Sequence, residues 1–335
     1  MKPNISDVAK AAGVSISMVS RVLTGRGYVR EDKKRKVEKI VQELGYHPSA
    51  LARGLRDKRT RTLGLLFSWL SGPTVADYFY REILSAVVEV CAAKGYQLLI
   101  SNFIGRWDEG GGHHARRLLN DARVEGLLLL APRAPAPMLV EMLNEYGVRS
   151  ILLCHNEKEL SFVDADQAGG MEMALDYLVA RGHKRIGFLA GEAQLVSNAA
   201  ARQKAFSAGM RRRGLSLDAG LLRKGRFDRE SGFRGMRELL AMKQPPSAVV
   251  ACSDWQAIGA MDFMRGAGLK KKPSLISFDD RAEASDKDYQ LTTLRQPFYQ
   301  IAKTATEEMI TSLDEKASKK VQITLPMELI RRQSA

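Results

Sequence analysis

From Thr62 onward the chain repeats one pattern: an apolar run of strand length, a stretch with helical spacing of its apolar residues, then another run. The runs are TLGLLF from Thr62, QLLISNF from Gln97, VEGLLLLA from Val124, SILLCH from Ser150, RIGFLAG from Arg185, AVVACSD from Ala248 and LISFDD from Leu275. A strand without polar alternation must be covered on both faces. Intervening helices supply that cover and join strands of one direction through right-handed crossovers. The repetition therefore predicts an α/β fold with parallel sheets. So many units exceed one compact sheet, and two similar lobes are expected. A ligand cleft between them would lie at the carboxyl ends of the strands.

The first fifth of the chain has a different character. Residues 1–61 hold 15 Lys and Arg against 6 Asp and Glu, so they supply +9 of the formal charge of +14. Charge gathered in this way marks a polyanion-binding segment. Three short helices fit before residue 46. Ser6 or Asp7 can cap the first, which presents Val8, Ala9 and Ala12 inward, and Gly13 supplies a sharp turn. Ser15 can cap the second. There Val19, Val22 and Leu23 share one face, and Ser17, Ser20, Arg21 and Thr24 the other. The third, from about Glu31, buries Val37, Ile40, Val41 and Leu44 and ends at Gly45. Three helices with a glycine turn between the first two make a helix-turn-helix. His47-Pro48 then breaks the pattern, and SALARGLRDKRTRT reads as a short amphipathic stretch running into a basic linker.

Several function classes are excluded. Cys91, Cys154 and Cys252 are far apart, with no zinc spacing, and read as small buried hydrophobes of a reducing compartment. No apolar stretch follows the N-terminal charges and none is long enough to span a bilayer, so a cytoplasmic location without membrane partner is expected. The chain lacks the GxSxG, Walker, GxGxxG-after-strand and HExxH motifs, so neither an enzyme nor a cofactor is expected. Adjacent histidines in GGGHH, Gly110 to His114, would point apart on a helix and make poor co-ligands. A secreted solute-binding protein would share the core pattern, but needs a signal segment and no basic headpiece.

At DVAKAAGVSISMVSRVL, followed by YVREDKKRKVEKIVQELGYHPSALARGL, the chain resembles the lactose-repressor/galactose-repressor (LacI/GalR) family of bacterial regulators. The resemblance continues through RGHKRIGFLAG with Arg202 downstream, GRFDRESGF, CSDWQAIGAM, LISFDD and LTTLRQP. It implies a helix-turn-helix headpiece (1–47), a hinge helix and linker (48–61), and a two-lobed core like that of periplasmic sugar-binding proteins. The lobes would be 62–162 with 296–319, and 163–295 with 320–330. The function implied is a transcriptional regulator, a repressor, acting as a homodimer on a near-palindromic double-stranded operator under control of a small-molecule effector.

The resemblance also implies residue roles. Ile16, Ser17 and Arg21 match base-contacting positions, and an arginine can bridge the O6 and N7 of guanine in the major groove. Ser15 and Ser20 suit phosphate oxygens. Met18 departs from the family's usual Ser or Thr, which removes one phosphate contact. Leu55, with Ala52 and Arg53 beside it, matches a hinge residue that wedges between base steps of the minor groove. For the effector, Asp279 and Arg202 match the polar grip, and Phe79, Tyr80 and Phe227 match the walls. Ser253 and Asp254 stand where Asn-Asp is common, Trp255 can stack on a ring, and His155 replaces a frequent acid. Carboxylate, guanidinium and aromatic walls suit a sugar or sugar derivative; a nucleobase is the alternative. The resemblance is compatible with either sign of control, since the family includes regulators that effector releases from DNA and regulators that it holds there.

Overall fold

The computed structural model describes residues 3–24, 27–46, 59–69, 78–104, 124–130, 137–193, 196–269, 271–315 and 320–335. The chain divides into two units, Met1–Arg61 and Thr62–Ala335.

Among the described residues the first unit holds three helices, α1 (Ile5–Ala12), α2 (Ile16–Thr24) and α3 (Glu31–Glu43). Asn4, rather than Ser6 or Asp7, is the N-cap of α1. Its side chain accepts from the Ser6 and Asp7 amides, and Asp7 returns a bond to the Asn4 amide. This reciprocal box satisfies donors that the first helical turn would otherwise leave open. Gly13 takes φ 63° and turns the chain into α2, as its missing Cβ permits. Val8, Ala9, Ala12, Val19 and Val37 form the small core, with Val22, Leu23, Ile40 and Val41 packed around it. Leu44 departs from its expected place and is 38% exposed, because α3 stops one residue earlier. Gly45 reverses the backbone in the left-handed region and brings Tyr46 into the core instead.

Among the described residues the second unit contains two six-stranded sheets. The first has the strand order 322–325, 161–165, 149–153, 126–130, 62–69, 97–104, and the second 328–330, 292–295, 274–279, 248–251, 186–190, 222–224. The seven apolar runs supply β1 (Thr62–Trp69), β2 (Gln97–Ile104), β3 (Gly126–Leu130), β4 (Arg149–Leu153), β6 (Ile186–Ala190), β8 (Ala248–Ala251) and β9 (Ser274–Asp279). The others are β5 (Ser161–Ala165), β7 (Leu222–Lys224), β10 (Thr292–Arg295), β11 (Gln322–Leu325) and β12 (Glu328–Ile330). Every pairing is parallel except β10 with β12. All residues of β3, β6 and β8 are buried, as strands with helices on both faces require.

The lobes interleave, and their boundaries differ from those expected. The first sheet runs to Ala165, past residue 162, because β5 pairs with β4 before the chain leaves. The segment 320–330 does not belong wholly to the second lobe. Gln322–Leu325 pairs with β5 in the first sheet, and Glu328–Ile330 then crosses to pair with β10 in the second. The chain thus passes between lobes three times: after β5, between β10 and the helix Phe298–Asp314, and between β11 and β12. That helix packs on the first lobe, against β3, β4, β5 and the helix Tyr78–Lys94. Among the described residues no helix is long and apolar enough to cross a membrane.

Candidate functional site

In the headpiece, α2 carries the residues expected to read DNA. Ser15, Ile16, Ser17 and Arg21 are exposed, and Ser20 is half-buried. Ile16, an apolar residue 49% exposed at the start of a helix, has no packing reason to be there. Ser15 caps the helix by accepting the Met18 amide at 3.3 Å, and its hydroxyl lies 2.9 Å from that of Ser17. The exposed row Ile16, Ser17, Arg21 is thus held by a capped helix whose other face carries the fully buried Val19. Ala52, Arg53 and Leu55, and the histidine pair at 113–114, lie outside the described residues.

In the core, a cavity of about 260 Å³ opens between the two lobes. The first lobe contributes Tyr78, Phe79, Tyr80, Leu130, Leu153 and Cys154. The second contributes Asn198, Arg202, Phe227, Ser253, Trp255, Asp279 and Arg281, and the crossover after β10 contributes Gln296 and Phe298. Most of these stand at strand ends or on the first turn of the following helix, where parallel sheets leave side chains free to face a ligand.

The aromatic wall is built by edge-on packing. The Phe79 ring meets both Tyr80 and Phe298 edge-on, at 4.9 Å between centroids. Phe227 seats against Gly191, where a Cβ would come within 2.7 Å of its ring. A side chain at 191 would force this ring to shift. Trp255 lies under the Arg281 guanidinium, 4.9 Å from ring centre, a favourable place for a cation.

The polar pole is made by Arg202 and Asp279. Arg202 comes from the helix Ser197–Arg212 and is 2% exposed. Its Nε donates to Gln167 Oε1 at 2.8 Å and its Nη1 to the Cys252 carbonyl at 2.5 Å. The guanidinium carbon sits 4.3 Å from the centre of the Phe278 ring. Nη2 makes no hydrogen bond to the described residues. Asp279 ends β9 with φ 120°, and Asp280 follows at φ 60°. Non-glycine residues adopt such angles at a cost, and they persist where the surroundings hold them. Asp279 Oδ1 accepts from Gln296 Nε2 at 2.7 Å. Burial pushes the Asp279 carboxyl up to about 6, while the positive charges of Arg202 and Arg281 act the other way. Cys154, also on the wall, is a third non-glycine residue with positive φ, 56°.

The cavity includes Phe79, Tyr80, Arg202, Phe227, Ser253 and Asp279, but neither Asp254 nor His155. Asp254 is fully buried as the first residue of the helix Asp254–Gly266. Its Oδ1 accepts from the hydroxyls of Ser277 and of Thr293, the latter at 2.7 Å, and its Oδ2 from the Arg281 amide at 2.7 Å. The carboxylate ties β9, β10 and the turn between them, so its oxygens are already used. His155 is 1% exposed and turned away. Its Nδ1 lies 2.6 Å from the Ser197 hydroxyl, and burial, which disfavours the charged ring, pushes its pKa down. Ser253 lines the cavity while capping the same helix through the Gln256 amide. Asn198, Gln296, Arg281 and Phe298 were not anticipated. Asn198 spends its Nδ2 on the Cys154 carbonyl of the opposite lobe, 3.0 Å away, a contact with no local sequence signature.

Residues 4–49 match the family model for bacterial regulatory proteins, lacI family, and residues 175–335 that for a periplasmic binding protein-like domain. The HTH-type transcriptional repressor PurR of Pectobacterium atrosepticum is 33% identical over 339 aligned positions, covering 98% of this chain and 96% of that one. A Lac repressor dimer, solved bound to operator and the anti-inducer ONPF, superposes with a TM-score of 0.86 at 25% identity, covering 100% and 99%. The regulator CelR in complex with cellobiose gives a TM-score of 0.74 at 27% identity, covering 99% and 100%. Headpiece, interleaved core and full-length similarity agree: this chain belongs to the lacI family of bacterial regulatory proteins and is a DNA-binding transcriptional regulator.

Proposed function

We propose that the protein is a repressor that binds a near-palindromic operator as a homodimer, and whose grip on DNA changes when a sugar or sugar derivative fills the core cavity. The observation that carries the effector reading is the contrast inside the cavity. A free guanidinium nitrogen and a carboxylate form one pole, and aromatic rings form the walls. A sugar ring has that character, with hydroxyls at its edge and C–H faces above and below. At about 260 Å³ the space is below the roughly 300–1,000 Å³ typical of sites for drug-sized ligands, which suits a single ring. The complex of the structural relative CelR with cellobiose is in keeping with a carbohydrate ligand.

On the DNA side, Arg21, Ile16 and Ser17 read base edges in the major groove, while Ser15 and Ser20 meet phosphate. Ala52, Arg53 and Leu55 act in the minor groove. Effector and operator are then linked: each favours one arrangement of the lobes, and each alters the affinity for the other by the same factor. A melting screen of the full chain with hexoses, pentoses, sugar acids and purines tests the reading. A solute at about 100 times its dissociation constant stabilises the fold by about 2.7 kcal/mol. Stabilisation by a purine, and by none of the sugars or sugar acids, would overturn the sugar assignment.

A further inference from the structure

Arg202 and Asp279 attract one another, yet among the described residues they form no direct ion pair. Two carboxamides lie between them. Arg202 Nε donates to Gln167 Oε1 at 2.8 Å, Gln167 Nε2 to Gln296 Oε1 at 3.2 Å, and Gln296 Nε2 to Asp279 Oδ1 at 2.7 Å. The direction of this chain is forced. A guanidinium has no acceptor, so Gln167 must offer it the oxygen. Its amide nitrogen then faces Gln296, which must answer with its own oxygen. Gln296 is left with a donor for Asp279, and the carboxylate accepts. Each end is charge-assisted, and low local polarity lets the bonds reinforce one another. Both amides are largely buried, at 3% and 4% exposure, which limits competition from water.

Their places in the fold add a second property. Gln167 begins the helix that follows β5, and Gln296 precedes the helix that follows β10. Both stand on segments that carry the chain from one lobe to the other. A change in the angle between lobes therefore acts first on the spacing of these two amides.

We propose that Gln167 and Gln296 are positioning residues of the effector cavity, a directional relay that commits Asp279 to accepting hydrogen bonds and ties its grip to the crossovers. The inference rests on the reading of this cavity as the effector site. It deepens that reading by naming the ligand chemistry: donors, such as adjacent hydroxyls, for Asp279, and an acceptor for Arg202 Nη2.

The test is a carboxyl carbon-13 NMR titration of the full chain with labelled aspartate and no added solute, the Asp279 signal being assigned with Asp279→Asn. Arg202, Asp254, Arg281, Tyr78 and Cys252 are the titratable groups that act on it and keep their identity in the variants, while Asp164, which faces Gln167, is followed in the same titration. Gln296→Met removes the direct donor and should raise the Asp279 midpoint by about one pH unit, the equivalent of one charge-assisted hydrogen bond. Gln167→Met does not touch Asp279, yet should raise the midpoint too. The double variant should match Gln296→Met alone, because the first amide acts only through the second. An unmoved midpoint in Gln167→Met, or additive shifts in the double variant, overturns the relay. Gln167→Asn, which keeps the amide but shortens its reach, serves if the methionine variant fails to fold and should give the same upward shift. Any hexose, pentose or sugar acid that raises the parent's melting temperature should bind Gln167→Met at least about tenfold more weakly. If none of these solutes binds the parent, the effector reading fails, whatever the titration gives.

Discussion

Replacing Asp254 separates a structural carboxylate from a ligand contact. In the folded chain it accepts from two hydroxyls and one backbone amide, and it does not face the cavity. Asp254→Ala strands these donors in a dry interior. The Ser277 and Thr293 hydroxyls can rotate toward other acceptors, but the Arg281 amide cannot. At about 1–3 kcal/mol for each buried donor left unmatched, the loss should be about 3 kcal/mol. At roughly 2–4 °C per kcal/mol for large domains, the core transition should fall by roughly 6–12 °C. Asp254→Asn keeps an oxygen for the hydroxyls and sets an N–H against the Arg281 amide, so about half that loss is expected. Acidity provides a second reading. Burial, with the neighbouring Asp279 charge, pushes Asp254 up to about 7, above its ordinary value of 3.8. A raised carboxyl contributes stability that is complete below the ordinary value and is lost as pH rises through the folded one. The parent should therefore lose stability between about pH 4 and 7 relative to Asp254→Asn. Calorimetry of parent and variants at pH 5 and 8 measures both effects. If Asp254→Ala melts with the parent but no longer binds a sugar that the parent binds, the assignment is wrong.

Arg202→Ala and Asp279→Ala should leave operator affinity within a few-fold of the parent while abolishing its response to effector, as measured by fluorescence anisotropy; an intact response in both would refute the cavity assignment. Leu55→Ala should weaken operator binding by at least about tenfold, with random-duplex affinity and salt slope almost unchanged, because a wedge has been lost and no phosphate contact. Arg21→Ala should instead relax preference at one base of each half-site by about 1–3 kcal/mol, visible in a binding series over operator variants. Asn4→Ala should destabilise α1 by about 1 kcal/mol through loss of the capping box, read from amide exchange of its first turn.

What the sequence made legible follows from which forces act locally. Strands buried on both faces appear as apolar runs, and all seven of these runs are strands. The five strands not foreseen lack that mark for physical reasons. β7, β11 and β12 are short edge strands with exposed polar residues. β5 and β10 carry Asp164, Thr292 and Thr293 into the interior, where hydrogen bonds make them tolerable. The cavity shows the same division. Arg202, Asp279 and the aromatic residues stood out because of family motifs and strong chemical character. Gln167, Gln296 and Asn198 did not, since an uncharged amide acquires meaning only from the partner that the fold brings to it. Asp254 and Asp279 are alike in sequence, each a carboxylate at the end of an apolar strand run. Only the donors around Asp254, supplied by β10 and the turn after β9, consume one and leave the other facing the cavity.

The interleaving of the lobes bears on how the chain is made. The first sheet gains its outermost strand from Gln322–Leu325, and one face of it is covered by the helix Phe298–Asp314. Synthesis runs from the N-terminus, so β1–β5 leave the ribosome long before the residues that close over them. The second lobe has by then received all of its strands but the last, β12. A nascent chain stopped near residue 295 would hold a nearly complete second lobe beside a first lobe with an open edge at β5 and an uncovered apolar face. Such edges pair readily with other chains. Termination near residue 295 should thus yield a sticky, short-lived fragment, not a smaller working regulator.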